Sequence, residues 1–314
     1  MGTYLAKRLA ASIVTAILAS VIVFLLVRSV PGDVVGQMLG QTSDPVAARA
    51  LREFFGLDQP VWQQYLGWLA HVVTADFGTS WTRGQPVLGM IGAALGVTLQ
   101  LAFATLAIAT LVGVPLGVVA GIYEGRPLDR VIQTFNLLGL AAPVFWIGLM
   151  LLVGVSAAFD WSPPLMYVAP TESLAENLSI MALPVLSLAL LQAAAYSQFV
   201  RQSVVSAFGQ DYVRTAIAKG VPTRTVFFKH LLRNIAIPLI TFMGLILIQI
   251  LGGAVIIESL FALPGLGRLL LSSIETRDYP VLQAGLLVVV IIAMLVNLAV
   301  DLFYRIIDPR VRLS

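Results

Sequence analysis

The chain has 314 residues, 59% of them hydrophobic and 11% charged, with a mean hydropathy of +0.93. A water-soluble domain carries roughly 25% charged residues, so this composition leaves too little polar surface for a soluble protein and reads as membrane. The formal net charge is +3, the pI is near 9.3 and there is no cysteine, which excludes disulfides and thiol chemistry.

Uncharged runs occupy 9–27, 84–123, 131–159, 177–200, 234–257 and 279–300. Each contains the roughly 20 apolar residues that cross a hydrocarbon core of about 30 Å. In lipid the backbone polar groups must be satisfied within the segment, so each run is read as a helix. Barrel strands would alternate, and these runs do not. The expected fold is therefore an all-α polytopic membrane protein of about six transmembrane helices.

Residues 1–30 form the first of them. Lys7 and Arg8 precede the apolar stretch as they would in a signal peptide. The uncharged run 9–27 is longer than a signal h-region of about 7–15 residues, and no clear Ala-x-Ala site lies directly after it. A retained span is expected.

Residues 31–95 read as an extracytoplasmic segment with amphipathic helices. Asp44-Pro45 marks one helix start, with a stop at Gly56, and Gln59-Pro60 marks the next. Val61, Trp62, Tyr65, Leu66, Leu69, Val72 and Val73 then share a helical stripe. Trp62, Tyr65 and Trp68 suit the headgroup level, where amphipathic rings keep one end wet. A membrane-surface helix explains the stripe, and docking of an external partner is the alternative.

Residues 96–306 form the core transmembrane domain. Gly113, Gly117 and Gly121 lie on one face of the second span, with Pro115 between them. Small residues let backbones approach closely in lipid, so this face is expected against another helix, and Pro115 is a place for a bend. The ridge serves either packing or a helix that slides. Asn136, Gln192, Gln198, Gln249 and Glu258 are the candidates for a translocation pathway, with interhelical hydrogen bonding as the plainer role. Charges deep in the spans are scarce, which argues against proton or sodium coupling. In 261–280, Pro264, Gly265 and Gly267 fit a short outer helix or a plain turn.

The basic residues set the orientation. With the N-terminus inside and six alternating spans, 13 Lys and Arg fall on the cytoplasmic side and 6 outside. That bias places both termini in the cytoplasm, with 307–314 as a tail and 204–235 as a basic inner segment. Enzyme signatures such as Gly-x-Ser-x-Gly, His-Glu-x-x-His and the P-loop are missing. His71 and His230 fall on opposite sides, so no histidine metal site is expected. The tripeptide Asp76-Phe77-Gly78 has no other kinase element beside it. The chain reads as non-catalytic and without a cofactor or metal, unable to hydrolyse ATP alone.

The inner segment is the most informative. Asp211 is placed to start a short helix in which Tyr212, Ala216 and Gly220 share one face, flanked by Arg214, Thr215 and Lys219. Gly220 fits the stop and Pro222 prevents continuation. A second basic helix is expected over Thr223 to Asn234. A small-residue face suits insertion into a groove on another protein, although an ordinary hairpin explains it too.

Here the chain resembles a known family. Arg214-Thr215-Ala216 followed by Gly220 is similar to the cytoplasmic coupling motif of ABC importer permeases, with the usual Glu-Ala-Ala start replaced. Tyr212-Val213-Arg214-Thr215-Ala216 matches the dipeptide, oligopeptide and nickel branch. Further matches are Val30-Pro31-Gly32-Asp33, Leu57-Asp58-Gln59-Pro60, Asp76-Phe77-Gly78-Thr79-Ser80, Lys229-His230-Leu231-Leu232-Arg233-Asn234, Pro264-Gly265-Leu266-Gly267, Arg277-Asp278-Tyr279-Pro280 and Asp308-Pro309-Arg310-Val311-Arg312. Val34 departs from a proline often found there. The resemblance implies a type I importer fold, a second homologous permease subunit, two ATPase subunits that bind ATP and Mg, and an extracytoplasmic substrate-binding protein. It implies alternating-access uptake of di- or oligopeptides, or of nickel chelates or glutathione. It also implies that Asp211, Tyr212, Arg214, Thr215, Ala216, Lys219 and Gly220 couple to an ATPase. An ion-coupled secondary transporter and an intramembrane enzyme are the competing classes.

Overall fold

The computed structural model describes residues 2–29, 34–39, 45–222, 225 and 232–307. Among these the regular structure is helical, apart from one isolated bridge between Thr79 and Pro86. The helices are α1 (Gly2–Ser29), α2 (Val34–Leu39), α3 (Pro45–Phe54), α4 (Val61–Val73), α5 (Val87–Ile122), α6 (Pro127–Ala141), α7 (Val144–Phe159), α8 (Leu174–Phe208), α9 (Asp211–Ala218), α10 (Leu232–Leu260), α11 (Leu266–Glu275) and α12 (Tyr279–Ile307). The motif at Val30 to Asp33, most of the helix expected over Thr223 to Asn234, the Lys229-His230-Leu231 stretch and the tail from Asp308 lie outside the described residues.

Helices α1, α5, α8, α10 and α12 are long and apolar enough to cross a membrane. The span expected over 131–159 differs in form, because α6 and α7 meet at 104° and make a sixth crossing only if counted as one bent pair. The break has a local cause. Pro143 has no N–H and crowds the residue before it, driving Ala142 out of the helical region to φ −83°, ψ 132°.

Two compact units can be distinguished, Met1–Ala94 with Leu269–Met294, and Leu95–Arg268 with Leu295–Ser314. In the first, α4 packs its aromatic side onto α1. The Tyr65 hydroxyl lies 2.9 Å from Ser20 Oγ, and the Tyr65 and Trp68 rings lie 5.4 and 5.7 Å from that of Phe24. Trp62, Leu66 and Val73, on the stripe expected at the headgroups, are exposed.

In the second unit the core gathers around α8, with Leu101, Leu188, Tyr196, Ile246, Ile250, Ile257 and Leu263 almost fully buried. The glycine ridge of α5 lies on α8. A Cβ at Gly113 would sit 2.5 Å from the Ala193 carbonyl oxygen, and one at Gly117 would sit 2.5 Å from that of Ser197. At Gly121 it would meet Val204 at 2.7 Å. These distances admit no side chain, so three successive ridge positions bring the two backbones into contact. Tyr167, between α7 and α8, donates to Gln100 Oε1 at 2.9 Å, and Asn177 Nδ2 donates to the Val168 carbonyl at 2.8 Å. Burial pushes the Tyr167 phenol above its ordinary pKa, which keeps the donor protonated.

Candidate functional site

Helix α9 follows α8 after only Gly209 and Gln210. Val213 is completely buried and joins Val200, Val204, Ala207 and Ile235 in an apolar cluster at the end of α8 and the start of α10. Among the described side chains of the helix Val213 is the buried one, while the stripe of Asp211, Thr215 and Lys219 is exposed. The Thr215 hydroxyl donates to the Asp211 carbonyl at 2.8 Å. The helix ends as expected, with Gly220 at φ +76°, where L side chains are strained, and open space where a Cβ would be. The side chains of Tyr212, Arg214 and Ala216 lie outside the described residues. Val213 escaped the sequence reading because an apolar residue between coupling candidates looks like helix filler.

Beside this anchor, Phe199, Gln202, Ser206, Gln210, Ile235 and Pro238 line an open groove of about 550 Å³. Its walls mix amides and hydroxyls with apolar surface, as expected where polypeptide meets polypeptide or water rather than lipid.

The pathway candidates separate. Asn136 is buried and its Nδ2 donates to Ser197 Oγ at 2.8 Å, tying α6 to α8. Gln192 is also buried, on α8. Gln198 is half-buried and Gln249 exposed. Glu258, fully buried near the end of α10, accepts from Thr98 Oγ1 at 2.5 Å and from the Arg268 amide at 3.0 Å. Thr98 in turn accepts from the Leu266 amide at 2.8 Å. The carboxylate therefore holds free N–H groups at the N-terminus of α11, where negative charge is favoured. Gly265 permits this, because a Cβ there would lie 2.1 Å from the Glu258 carboxyl carbon.

Two further acidic residues do work the sequence did not disclose. Asp129, at the start of α6, is buried and forms a two-pronged ion pair with Arg201 of α8, at 2.7 and 2.8 Å. Asp278 is 2% exposed and accepts from the Trp81 amide at 3.1 Å, from the Thr82 hydroxyl at 2.7 Å and from the Ser80 hydroxyl. The Asp76–Ser80 and Arg277–Pro280 motifs, far apart in the chain, are thus two halves of one knot. That both occur in one motif set was the available signal, but their pairing was not.

Long apolar helices zipped by small residues, a broken span and an anchored short helix between α8 and α10 describe a multi-pass membrane protein. The family model described as "Binding-protein-dependent transport system inner membrane component" matches residues 113–313, and its N-terminal companion matches residues 1–102. The chain belongs to this family: it is the permease subunit of a binding-protein-dependent ABC importer, in the bacterial inner membrane.

A probable peptide ABC transporter permease from Sinorhizobium fredii is 34% identical over 99% of this chain and 100% of its own length. The glutathione transport system permease GsiC of Escherichia coli K12 is 37% identical over 99% of both. Among solved structures, an inward-facing form of the MetNI methionine ABC transporter aligns with a TM-score of 0.55 at 17% identity, covering 70% of this chain and 97% of that one. An amino acid ABC transporter structure aligns with a TM-score of 0.52, also at 17% identity. These two show a shared fold. The family membership decides against a self-sufficient ion-coupled transporter, and members of the family work with ATPase and substrate-binding partners.

Proposed function

We propose that this subunit moves di- or oligopeptides into the cytoplasm by alternating access, paired with a second homologous permease and served by two ATPase subunits and an extracytoplasmic binding protein. Glutathione, itself a tripeptide, belongs to the same substrate class, and the names of both relatives point there. ATP and Mg bind the ATPase subunits, and this chain does no chemistry. Both termini and α9 face the cytoplasm, as the basic residues favour, and residues 31–95 face outward.

The observation that carries the coupling role is the build of α9. A helix anchored by Val213, exposing Asp211, Thr215 and Lys219 and closed by Gly220, presents a rigid surface to a partner cleft. ATP-driven closure would displace α9 and, through Val213, the ends of α8 and α10. The nucleotide shifts this equilibrium only through contacts that differ between the two states. Of the pathway candidates, Gln249 and Gln198 are the two we assign to the translocation route. An amide that is exposed, as at Gln249, or partly so, as at Gln198, within an apolar span is costly in lipid and belongs against water or protein. Asn136, Gln192 and Glu258 are assigned to packing.

The test is reconstitution of the whole transporter in liposomes with Gly220→Trp. Insertion should persist while peptide uptake and ATPase association fall together. Co-purification and uptake at wild-type levels would sink the coupling assignment.

A further inference from the structure

The first unit contains a cavity of about 340 Å³ that the transport cycle leaves unexplained. It sits where α1 ends, between α4, the Asp76–Trp81 turn and the start of α12, and its aromatic walls include Phe24, Trp68, Trp81 and Tyr279. Two of its lining residues each carry a buried polar atom without a hydrogen-bond partner, Arg28 Nε and Gln64 Oε1. One is a charged donor and the other an acceptor. The Gln64 amide has its orientation fixed, because its Nε2 donates to the Gln59 carbonyl at 2.5 Å. Arg28 is held over the Phe24 ring, 4.9 Å from its centroid. The nearby Asp76 is engaged by His71 at 3.3 Å and by the Gly78 amide at 3.0 Å.

Buried polar atoms are normally paired, and unpaired ones call for an explanation such as a missing ligand. Arg28 is the first charge after the uncharged run 9–27, at the depth where a span meets headgroups. Below it Leu18, Ile22, Leu25 and Leu26 are about half exposed on α1, a surface that acyl chains can cover. Tryptophan and tyrosine around the opening are the side chains that favour this depth. A guanidinium fork matches phosphate oxygens in geometry and charge.

We propose that this cavity holds a phospholipid headgroup, with the phosphodiester on Arg28 and the headgroup's own donor, an ammonium or hydroxyl, on Gln64 Oε1. The two unpaired atoms then satisfy opposite ends of one ligand. The lipid ties the α1–α4 contact to the start of α12.

The whole transporter, purified with its partner subunits in phosphatidylcholine nanodiscs, is titrated with phosphatidylethanolamine, phosphatidylglycerol or diacylglycerol, and retained lipid is counted by native mass spectrometry. Ethanolamine and glycerol headgroups should outcompete choline, which has no donor, and diacylglycerol should not compete. Arg28→Gln should weaken retention of every phospholipid about tenfold. Gln64→Met should abolish the preference over choline while leaving the preference over diacylglycerol. Equal retention by wild type and both variants overturns the proposal. So does protection by glycerophosphoethanolamine, inorganic phosphate or a tripeptide at least as good as by lipid, since the site would then take a soluble anion.

Discussion

Arg201 and Asp129 join α8 to α6 through paired bonds, Nε to Oδ1 at 2.7 Å and Nη2 to Oδ2 at 2.8 Å, with the aspartate almost fully buried. Removing Arg201 strands a buried carboxylate, a loss of about 3–5 kcal/mol, whereas removing Asp129 leaves Arg201 with Glu124 at 4.0 Å and should cost less. Asp129→Ala and Arg201→Ala should each lower the thermal stability of the purified transporter. The double variant should be less damaged than the sum of the two. Additive losses in the double-mutant cycle would show the pair to be uncoupled.

The glycine ridge makes a sharper forecast because a neutral control exists in the same unit. Gly117→Ala places a methyl 2.5 Å from the Ser197 carbonyl oxygen, whereas the same change at Gly154 meets open space. The first should cost about 1–3 kcal/mol through overpacking, and the second should be neutral or slightly stabilising. Thermal unfolding of the two variants in one detergent decides between them.

At the N-terminus of α11, Glu258→Gln keeps the size but replaces one acceptor oxygen with a donor. Both carboxylate oxygens are in use, by Thr98 and by the Arg268 amide, so a loss of about 1–3 kcal/mol is expected. Gly265→Ala should do at least as much harm. If Glu258→Gln keeps its stability but alters the cation dependence of uptake, the packing assignment fails.

The spans were readable because charge is excluded from each of them, and the close-packing face of α5 because glycines four residues apart must share a helix face, although its partner α8 was not. The α6–α7 break was not readable. Pro115, Pro184 and Pro238 sit inside continuous helices, so a proline in an apolar run does not by itself say whether the chain will turn. What sets Pro143 apart is that the residue before it, Ala142, has left the helical region, whereas the residues before the other three prolines have not. Helix α9 was legible from its start and stop residues, but its anchor Val213 was not, because burial depends on Ile235 and Val204 arriving from other helices. Asp278 stayed hidden for the same reason, with its partners Ser80 to Thr82 lying nearly 200 residues earlier.

The Asp278 knot can be probed optically. Asp278→Ala removes the acceptor for the Trp81 amide and the Thr82 hydroxyl, and the Trp81 ring has the tilted rings of Phe55 and Tyr279 at 4.3 and 5.7 Å. Trp81 emission should shift towards that of solvated indole, and the 78–86 turn should become sensitive to protease. An unchanged spectrum with an intact turn would show that the aromatic contacts alone fix the loop.

Gly220 separates conformation from contact. Its left-handed φ of +76° tolerates asparagine far better than valine, and the space above it is open. Gly220→Asn should retain α9 and most ATPase binding, while Gly220→Val should lose about 1–2 kcal/mol at the helix stop. If asparagine abolishes uptake as fully as tryptophan, the position needs a bare backbone against the partner rather than a permissive turn.

Because α5 and α8 touch backbone to backbone at three consecutive ridge glycines, neither can roll or slip without steric collision along the seam. Displacement of one end of α8 would therefore carry α5 with it, as a single beam. Any rearrangement within this unit must then occur at contacts other than this seam.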